Sequence, residues 1–249
     1  MKPTPESLPA TVEDLEAGTV LIINKPLTWT SFDVVAKLKS TLRRHFGIKK
    51  LKIGHAGTLD PLATGVLVVC VGKATKTIDQ WMATQKSYTA QVKLGFTTPS
   101  FDAETQEIPF VGAQIPIDTA KIETVLTAFR GDILQVPPLY SALKIGGQTL
   151  YKMARKGHSV DIPPRPVTIH RLDLLSYRVN PPCEAVLEIA VVCSKGTYIR
   201  SLANDIGASL GCGGYLVALE RTASGEKTLS DAWELATLLD IWKEGKENA

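Results

Sequence analysis

Apolar and polar positions along the chain alternate in short runs separated by stretches of helical period. "TVLIIN" (19–24) is an apolar run of strand length. "TSFDVVAKLKSTLRRHF" sets Val35, Leu38 and Leu42 on one helical face, with Ser31 as the expected N-cap. "VLVVCVG" (66–72) reads as a buried strand and "ATKTIDQWMAT" as a helix. In "KSYTAQVKLG", Tyr88, Ala90, Val92 and Leu94 alternate with Thr89, Gln91 and Lys93, the pattern of a half-buried antiparallel strand. Asp118 should cap a helix bearing Ile122, Val125, Leu126 and Phe129, closed by Gly131. "TLYKMARKG" predicts a short helix ending at Gly157, and strands follow around 167–174 and 185–193. "TYIRSLANDIGASLG" puts Tyr198, Leu202, Ile206 and Leu210 in helical register; a strand at 215–219 and a helix capped by Ser230 close the chain. Strands and helices interleave irregularly and period-2 strands are common. This predicts an α+β fold, with a mixed, mostly antiparallel central sheet flanked by helices and loops.

Composition sharpens this picture in three places. At 249 residues and 44% hydrophobic, the chain can bury a sizeable core in one domain or two small ones. Residues 1–18, rich in Pro, Thr and Glu, read as a poorly ordered leader. They hold no apolar signal core, and no run approaches the roughly 20 apolar residues of a membrane span, so a cytoplasmic protein is expected. None of the four cysteines forms a CxxC pair, which excludes zinc-ribbon and thioredoxin readings; Cys70 and Cys193 sit in apolar runs as buried free thiols.

Charge matters through its placement. Lys plus Arg (28) exceed Asp plus Glu (25) by only three, so net charge does not identify a nucleic-acid binder. The densest basic cluster is Lys37, Lys39, Arg43, Arg44, Lys49, Lys50 and Lys52, on and after the first long helix. It is either a solvated face or a phosphate-binding one.

Candidate chemistry centres on "GHAGTLDPLATG" (54–65), which carries one carboxylate, Asp60. Pro61 drives Asp60 away from the helical region, and the glycines permit close backbone approach. The loop is an Asp-Pro turn or the mount of a reactive acid; it lacks the GxxxxGK[ST] of a phosphate loop and the alternating acids of an EF-hand. Arg200, in the first turn of its helix, is either a surface residue or the partner of a buried carboxylate, with Asp60 a candidate. Tyr88 is either core packing or a ring that stacks on a base and moves a proton. The four histidines, His45, His55, His158 and His170, lack metal-ligand spacing, so no metal is expected. A glycosidase would need a second carboxylate opposite the first, and the sequence identifies none.

Six ordered segments carry a family pattern: "NKPLTWTSFDVV" (24–35), "GHAGTLDPLATGVL" (54–67), "KSYTAQVKLG" (86–95), "FRGDILQVPPLYSALKIGGQTLYKMARKG" (129–157), "RPVTIHRL" (165–172) and "CSKGTYIRSLANDIGASLGCGGYLVALERTASG" (193–225). They resemble the tRNA pseudouridine-55 synthases of the TruB type, from about Thr19 to about Leu239. The resemblance implies the pseudouridine synthase fold over residues 19–249 and isomerisation of a T-loop uridine without cofactor or metal. It implies Asp60 as the catalytic carboxylate, acting at uracil C6, ribose C1′ or the C2′ proton. Tyr88 becomes the stacking and proton-handling ring and Arg200 the cation paired with Asp60. Lys25, His55, Asp102, Tyr198 and Leu219 become substrate-binding positions, with Lys37, Arg43, Arg44, Lys49, Lys50 and Lys52 for the RNA backbone. The implied partner is the tRNA T-stem-loop, bound by a monomer needing no protein partner and no membrane. A non-catalytic RNA-binding or tRNA-folding protein is the alternative. Two departures stand out: Thr105 in "TTPSFDAETQ" occupies a position where glycine is usual, and no C-terminal PUA module is expected.

Overall fold

The sequence pattern folds into short elements, which the computed structural model describes for residues 3–141, 143–155, 161–180 and 184–244. In chain order these are α1 (Val12–Ala17), β1 (Thr19–Lys25), α2 (Ser31–His45), β2 (Ile53–His55), β3 (Ala63–Val71), α3 (Ile78–Ala83), β4 (Lys86–Leu94), β5 (Phe96–Thr97) and β6 (Ile108–Pro109). Next come α4 (Thr119–Ala128), β7 (Gly131–Gln135), β8 (Lys144–Ile145), β9 (Gln148–Thr149), α5 (Leu150–Arg155), β10 (Arg165–Asn180) and β11 (Glu184–Cys193). The chain continues through α6 (Ile199–Leu210), β12 (Gly214–Ser224), β13 (Lys227–Thr228), β14 (Trp233–Glu234) and α7 (Leu235–Glu244). Two units result. One holds the described residues up to Tyr88 and from Glu220 onward; the other holds Thr89–Leu219. The chain passes between them within β4 and within β12.

In the first unit β1 pairs antiparallel with β3 and parallel with β14, and β2 pairs antiparallel with β3. Alternation assigns the two faces. Leu21, Ile23, Leu67, Val69 and Val71 join Val34, Leu38 and Leu42 of α2 and Leu238 and Trp242 of α7 in one cluster. Ile22, Val66, Val68 and Cys70 form a second cluster with Ala56, on which Ile78 and Trp81 pack. Both faces of β3 are therefore covered, so "VLVVCV" reads as a continuous apolar run, and each such side chain contributes about 1.5–3 kcal/mol of burial. The β1–β3 register sets Lys25 opposite Gly65, at the mouth of the loop carrying Asp60.

In the second unit β10 pairs antiparallel with β11 and β7, and β5–β6 and β8–β9 are antiparallel ribbons. β11 alternates cleanly, with Ala185, Leu187, Ile189, Val191 and Cys193 buried. In β4, Ala90, Val92 and Leu94 are fully buried while Tyr88 is half-buried. The α+β expectation and its mostly antiparallel sheet are met. Among the described residues no helix is long and apolar enough to cross a membrane, and no group of three or more His, Cys, Asp or Glu could hold a metal ion.

Several local expectations change. Residues 12–17 are helical: Thr11 and Asp14 form a reciprocal capping box, and Leu15, fully buried, anchors the segment to the core. The α2 cap is Thr30, because Asp33 lies three residues on and bonds back to the Thr30 N–H. Asp118 caps α4 through its bond from Ala120 N, but Phe129 is the C-cap and Gly131, at φ 89°, opens β7. Ser230 caps no helix; it lies in a 3-10 turn (Leu229–Asp231) boxed by Thr228 and Asp231, and β14 intervenes before α7. Gly157, His158 and Cys183 lie outside the described residues, whereas Cys70, Cys193 and Cys212 are buried free thiols.

Candidate active site

Three segments distant in sequence converge in the first unit. β1 ends at Lys25 and turns through Pro26–Trp29 into α2. At that turn the Thr28 N–H donates to the Pro61 carbonyl at 2.8 Å. One turn on, Ser31 Oγ accepts from Leu59 N at 2.8 Å and donates to Leu59 O at 3.1 Å. Both backbone neighbours of Asp60 are thus tied to the α2 entry, and the Asp60 carbonyl itself accepts from Ala63 N at 3.0 Å. From β12, Arg221 reaches beneath the loop. Its Nε donates to Val66 O at 2.6 Å and its Nη2 to Gly57 O at 3.2 Å, with 1% of the residue exposed.

Lys25 has no exposed surface, and its Nζ donates to the carbonyls of Pro26 (2.9 Å) and Trp29 (2.6 Å). Its ammonium therefore shapes the turn, and a direct substrate contact would require those bonds to open. Burial pulls the Lys25 pKa down to about 8; the Asp60 charge opposes that shift and Arg221 reinforces it. The attraction is mutual, so Lys25 favours the ionised form of Asp60. The sign for stability follows. The folded chain releases this proton near pH 8, the unfolded chain only near 10.5, so stability from Lys25 rises with pH through that window. Replacement by methionine should remove this rise and cost about 2–4 kcal/mol at pH 7 through the stranded carbonyls. Urea unfolding of both proteins at pH 7 and pH 9.5 measures both effects.

Thr28 takes φ 70°, a left-handed conformation rare for a β-branched residue. The turn holds it there because the Thr28 N–H must face Pro61. Thr28→Gly should relieve the strain and raise stability by about 0.5–1 kcal/mol, read as a higher urea midpoint at unchanged slope.

His55 ends β2 opposite Val69, half-buried, with Nδ1 buried and unbonded among the described residues. Burial, then the Arg221 charge, lower its pKa and so favour the neutral ring, with the Gly57 backbone acting the other way. Lys86, 6% exposed, closes the C-terminal end of α3: its Nζ bonds the carbonyls of Trp81, Met82 and Thr84. This fixes the start of the strand that presents Tyr88 two residues later. A methyl group added at Gly57 would sit 3.6 Å from Arg221 Nη1 and 3.9 Å from Lys86 Cε, so both cations lie against the Asp60 loop.

The second unit holds Arg200, Asp102, Tyr198 and Leu219. Arg200, 4% exposed, starts α6 and places Nη1 3.4 Å from Asp102 Oδ2 and 3.3 Å from Ser100 O. Asp102 is itself 5% exposed, and its Oδ1 accepts from Ser100 Oγ (2.6 Å) and Glu104 N (2.9 Å). The carboxylate is spent on holding Arg200 and its own loop. Thr105 explains its departure from glycine: its hydroxyl accepts from Ser100 N at 3.1 Å and lies 2.7 Å from Ser100 Oγ. Tyr198 is the half-buried N-cap residue of α6, clamped by Gln135, which accepts from Tyr198 N (2.8 Å) and donates to Tyr198 O (3.0 Å). Leu219 is half-buried in β12. The basic cluster in the first unit, Lys37, Lys39, Arg43, Arg44, Lys49, Lys50 and Lys52, is exposed throughout.

Sequence reasoning missed Arg221, Lys86 and Ser31. All three lie inside shared motifs, Ser31 in the first, Lys86 in the third and Arg221 in the last, but the carbonyl and amide groups that recruit them are brought near only by the fold.

The fold agrees with comparisons to known proteins. Residues 43–199 match the family model described as TruB family pseudouridylate synthase (N terminal domain), and residues 200–249 match the tRNA pseudouridylate synthase B C-terminal domain. The tRNA pseudouridine synthase B of Parabacteroides distasonis is 52% identical over 216 residues, 87% of this chain and 89% of that protein. That of Francisella philomiragia is 48% identical over 233 residues, 93% and 73% of the two chains. Among solved structures, a chain of a Cbf5-Nop10-Gar1 complex aligns with TM-score 0.68 and 28% identity; the match covers 94% of this chain and 57% of that one. A chain of an H/ACA RNP bound to a substrate RNA containing 2'-deoxyuridine aligns at 0.67 and 27%, covering 98% and 59%. The pseudouridine synthase fold implied by the motifs is met, and the chain belongs to the TruB family of pseudouridylate synthases.

Proposed function

We propose that the chain isomerises a uridine of tRNA, at position 55 in the T-loop, to pseudouridine. The mounting of Asp60 carries this reading: a single carboxylate whose two backbone neighbours are bonded to the α2 entry, beside the buried Lys25 ammonium. Relatives named tRNA pseudouridine synthase B support the substrate. The target nucleotide must leave its stack before chemistry. The C1′–N1 bond breaks, the uracil turns, and a C1′–C5 bond forms; C5 loses its proton and N1 gains one, so the product is an isomer.

In this reading the ionised Asp60 carboxylate touches the flipped nucleotide at uracil C6, ribose C1′ or the C2′ proton. Tyr88 stacks on the base and receives the C5 proton. Arg200 is assigned, on its motif, as the cation that keeps Asp60 ionised, and Asp102 orients it. Tyr198 and Leu219 flank the nucleotide, and His55 takes space left by an extruded base. Lys25 acts through its field on Asp60. Lys37, Arg43, Arg44, Lys49, Lys50 and Lys52 receive RNA phosphates, and a single cytoplasmic chain suffices. Tritium at C5 of tRNA uridine tests the reading. The protein should release it to water in proportion to pseudouridine formed; binding without release would mark a tRNA-binding or tRNA-folding protein instead.

A further inference from the structure

Helix α2 exposes two rows of side chains that differ in kind. At 3.6 residues per turn, Phe32, Ala36, Lys39 and Arg43 follow one another along one row, and Asp33, Lys37, Ser40 and Arg44 along the next; all eight are exposed. Phe32 is 72% exposed and Leu27, at the preceding turn, 54%. Single exposed apolar residues are ordinary. Three features separate Phe32 from that case. The first is position: Thr28 and Ser31, just before it, are bonded to Pro61 and Leu59, the two neighbours of Asp60, so ring and carboxylate share one rigid mount. The second is charge. Beyond Ala36 the Phe32 row carries two cations, Lys39 and Arg43, and no acid, whereas the adjacent row starts with Asp33, whose carboxylate is tied to Thr30. The third is order: the capping box fixes the helical turn that displays the ring.

We propose that Phe32 is a stacking platform for an unpaired base next to the target uridine, and that Lys39 and Arg43 receive the phosphates of the strand leading away from it. The proposal rests on the RNA reading above. A single strand offers a π-face at every base and a charge at every linkage, which suits a ring followed along one helix face by two cations. Lys39 and Arg43 stand about 10 Å and about 16 Å from Phe32 along the axis at ~1.5 Å per residue. A strand laid along α2 meets the ring first and the charges after it.

The test is binding of a T-stem-loop RNA by the full chain across a salt series. Phe32→Ala should raise Kd by about 5- to 150-fold at every salt concentration and leave the salt slope unchanged; Phe32→Trp should restore the affinity. The Lys39→Ala, Arg43→Ala pair should instead reduce the slope of log K against log salt by about 1.4–1.8. A Kd for Phe32→Ala within about twofold of wild type, no restoration by tryptophan, or an unchanged slope in the charge pair overturns the proposal. Tritium release by the wild-type protein separates the two readings. Release combined with an unaffected Phe32→Ala variant sinks the platform alone; no release with a weakened variant sinks the enzymatic reading alone.

Discussion

Asp60→Asn is expected to abolish release of C5 tritium, by more than about a thousandfold, while tRNA affinity stays within about threefold of wild type. Asparagine keeps the shape of the side chain and loses the negative charge and the basic, nucleophilic oxygen. The backbone bonds that hold the loop survive, because Ser31, Thr28 and Ala63 bond main-chain groups of residues 59, 61 and 60. Nothing in the substitution removes a cation from the surface that meets RNA. Filter binding beside the tritium assay separates the two quantities. Release at the wild-type rate would exclude Asp60 as the reactive group, and a parallel collapse of affinity would make it a binding residue.

A large structural effect should follow from Gly65→Ala. Gly65 has φ 101°, and a methyl there would lie 2.3 Å from the Arg221 carbonyl oxygen and 2.7 Å from its nitrogen. Those atoms are strand backbone and cannot swing aside, so β3 and β12 must part where Arg221 supports the loop. The expected cost is about 2–4 kcal/mol, from overpacking together with left-handed strain. Gly47→Ala isolates the second component, since Gly47 has φ 68° and nothing within 4 Å of the added methyl; its cost should be about 1 kcal/mol. Urea midpoints of the two variants compare them directly. Equal losses would mean that the β3–β12 contact yields freely.

The elements that were legible in the sequence are those with a local cause. α2 declared itself by Val35, Leu38 and Leu42, and β11 by strict alternation. The Asp60 loop was legible as an ordered motif, though its Asp-Pro chemistry alone suited an ordinary turn. What escaped depends on distant partners. Thr30 and Ser31 are both hydroxyl residues at a helix start; Asp33 selects the first as cap, and an amide 28 residues away claims the second. α1 is short and polar, and only Leu15 entering the core makes it worth forming. Lys86 and Arg221 look like surface cations in strands until the carbonyls of α3 and of residues 57 and 66 surround them. Asp102 stood in a segment that departs from the family's usual form, and its commitment to Ser100, Glu104 and Arg200 follows from a loop that closes through Thr105.

Ser31 links one hydroxyl to both main-chain groups of Leu59. A lone donor or acceptor would act as a hinge about which the loop could pivot; two bonds through one oxygen act as a clamp. The first turn of α2 and the residue before Asp60 therefore move as one lever. A load applied to the helix, such as tension from a strand anchored along its length, is transmitted to the carboxylate as a displacement of its base. Amide hydrogen exchange at Leu59 would report that clamp, slow in the intact protein and fast in Ser31→Ala.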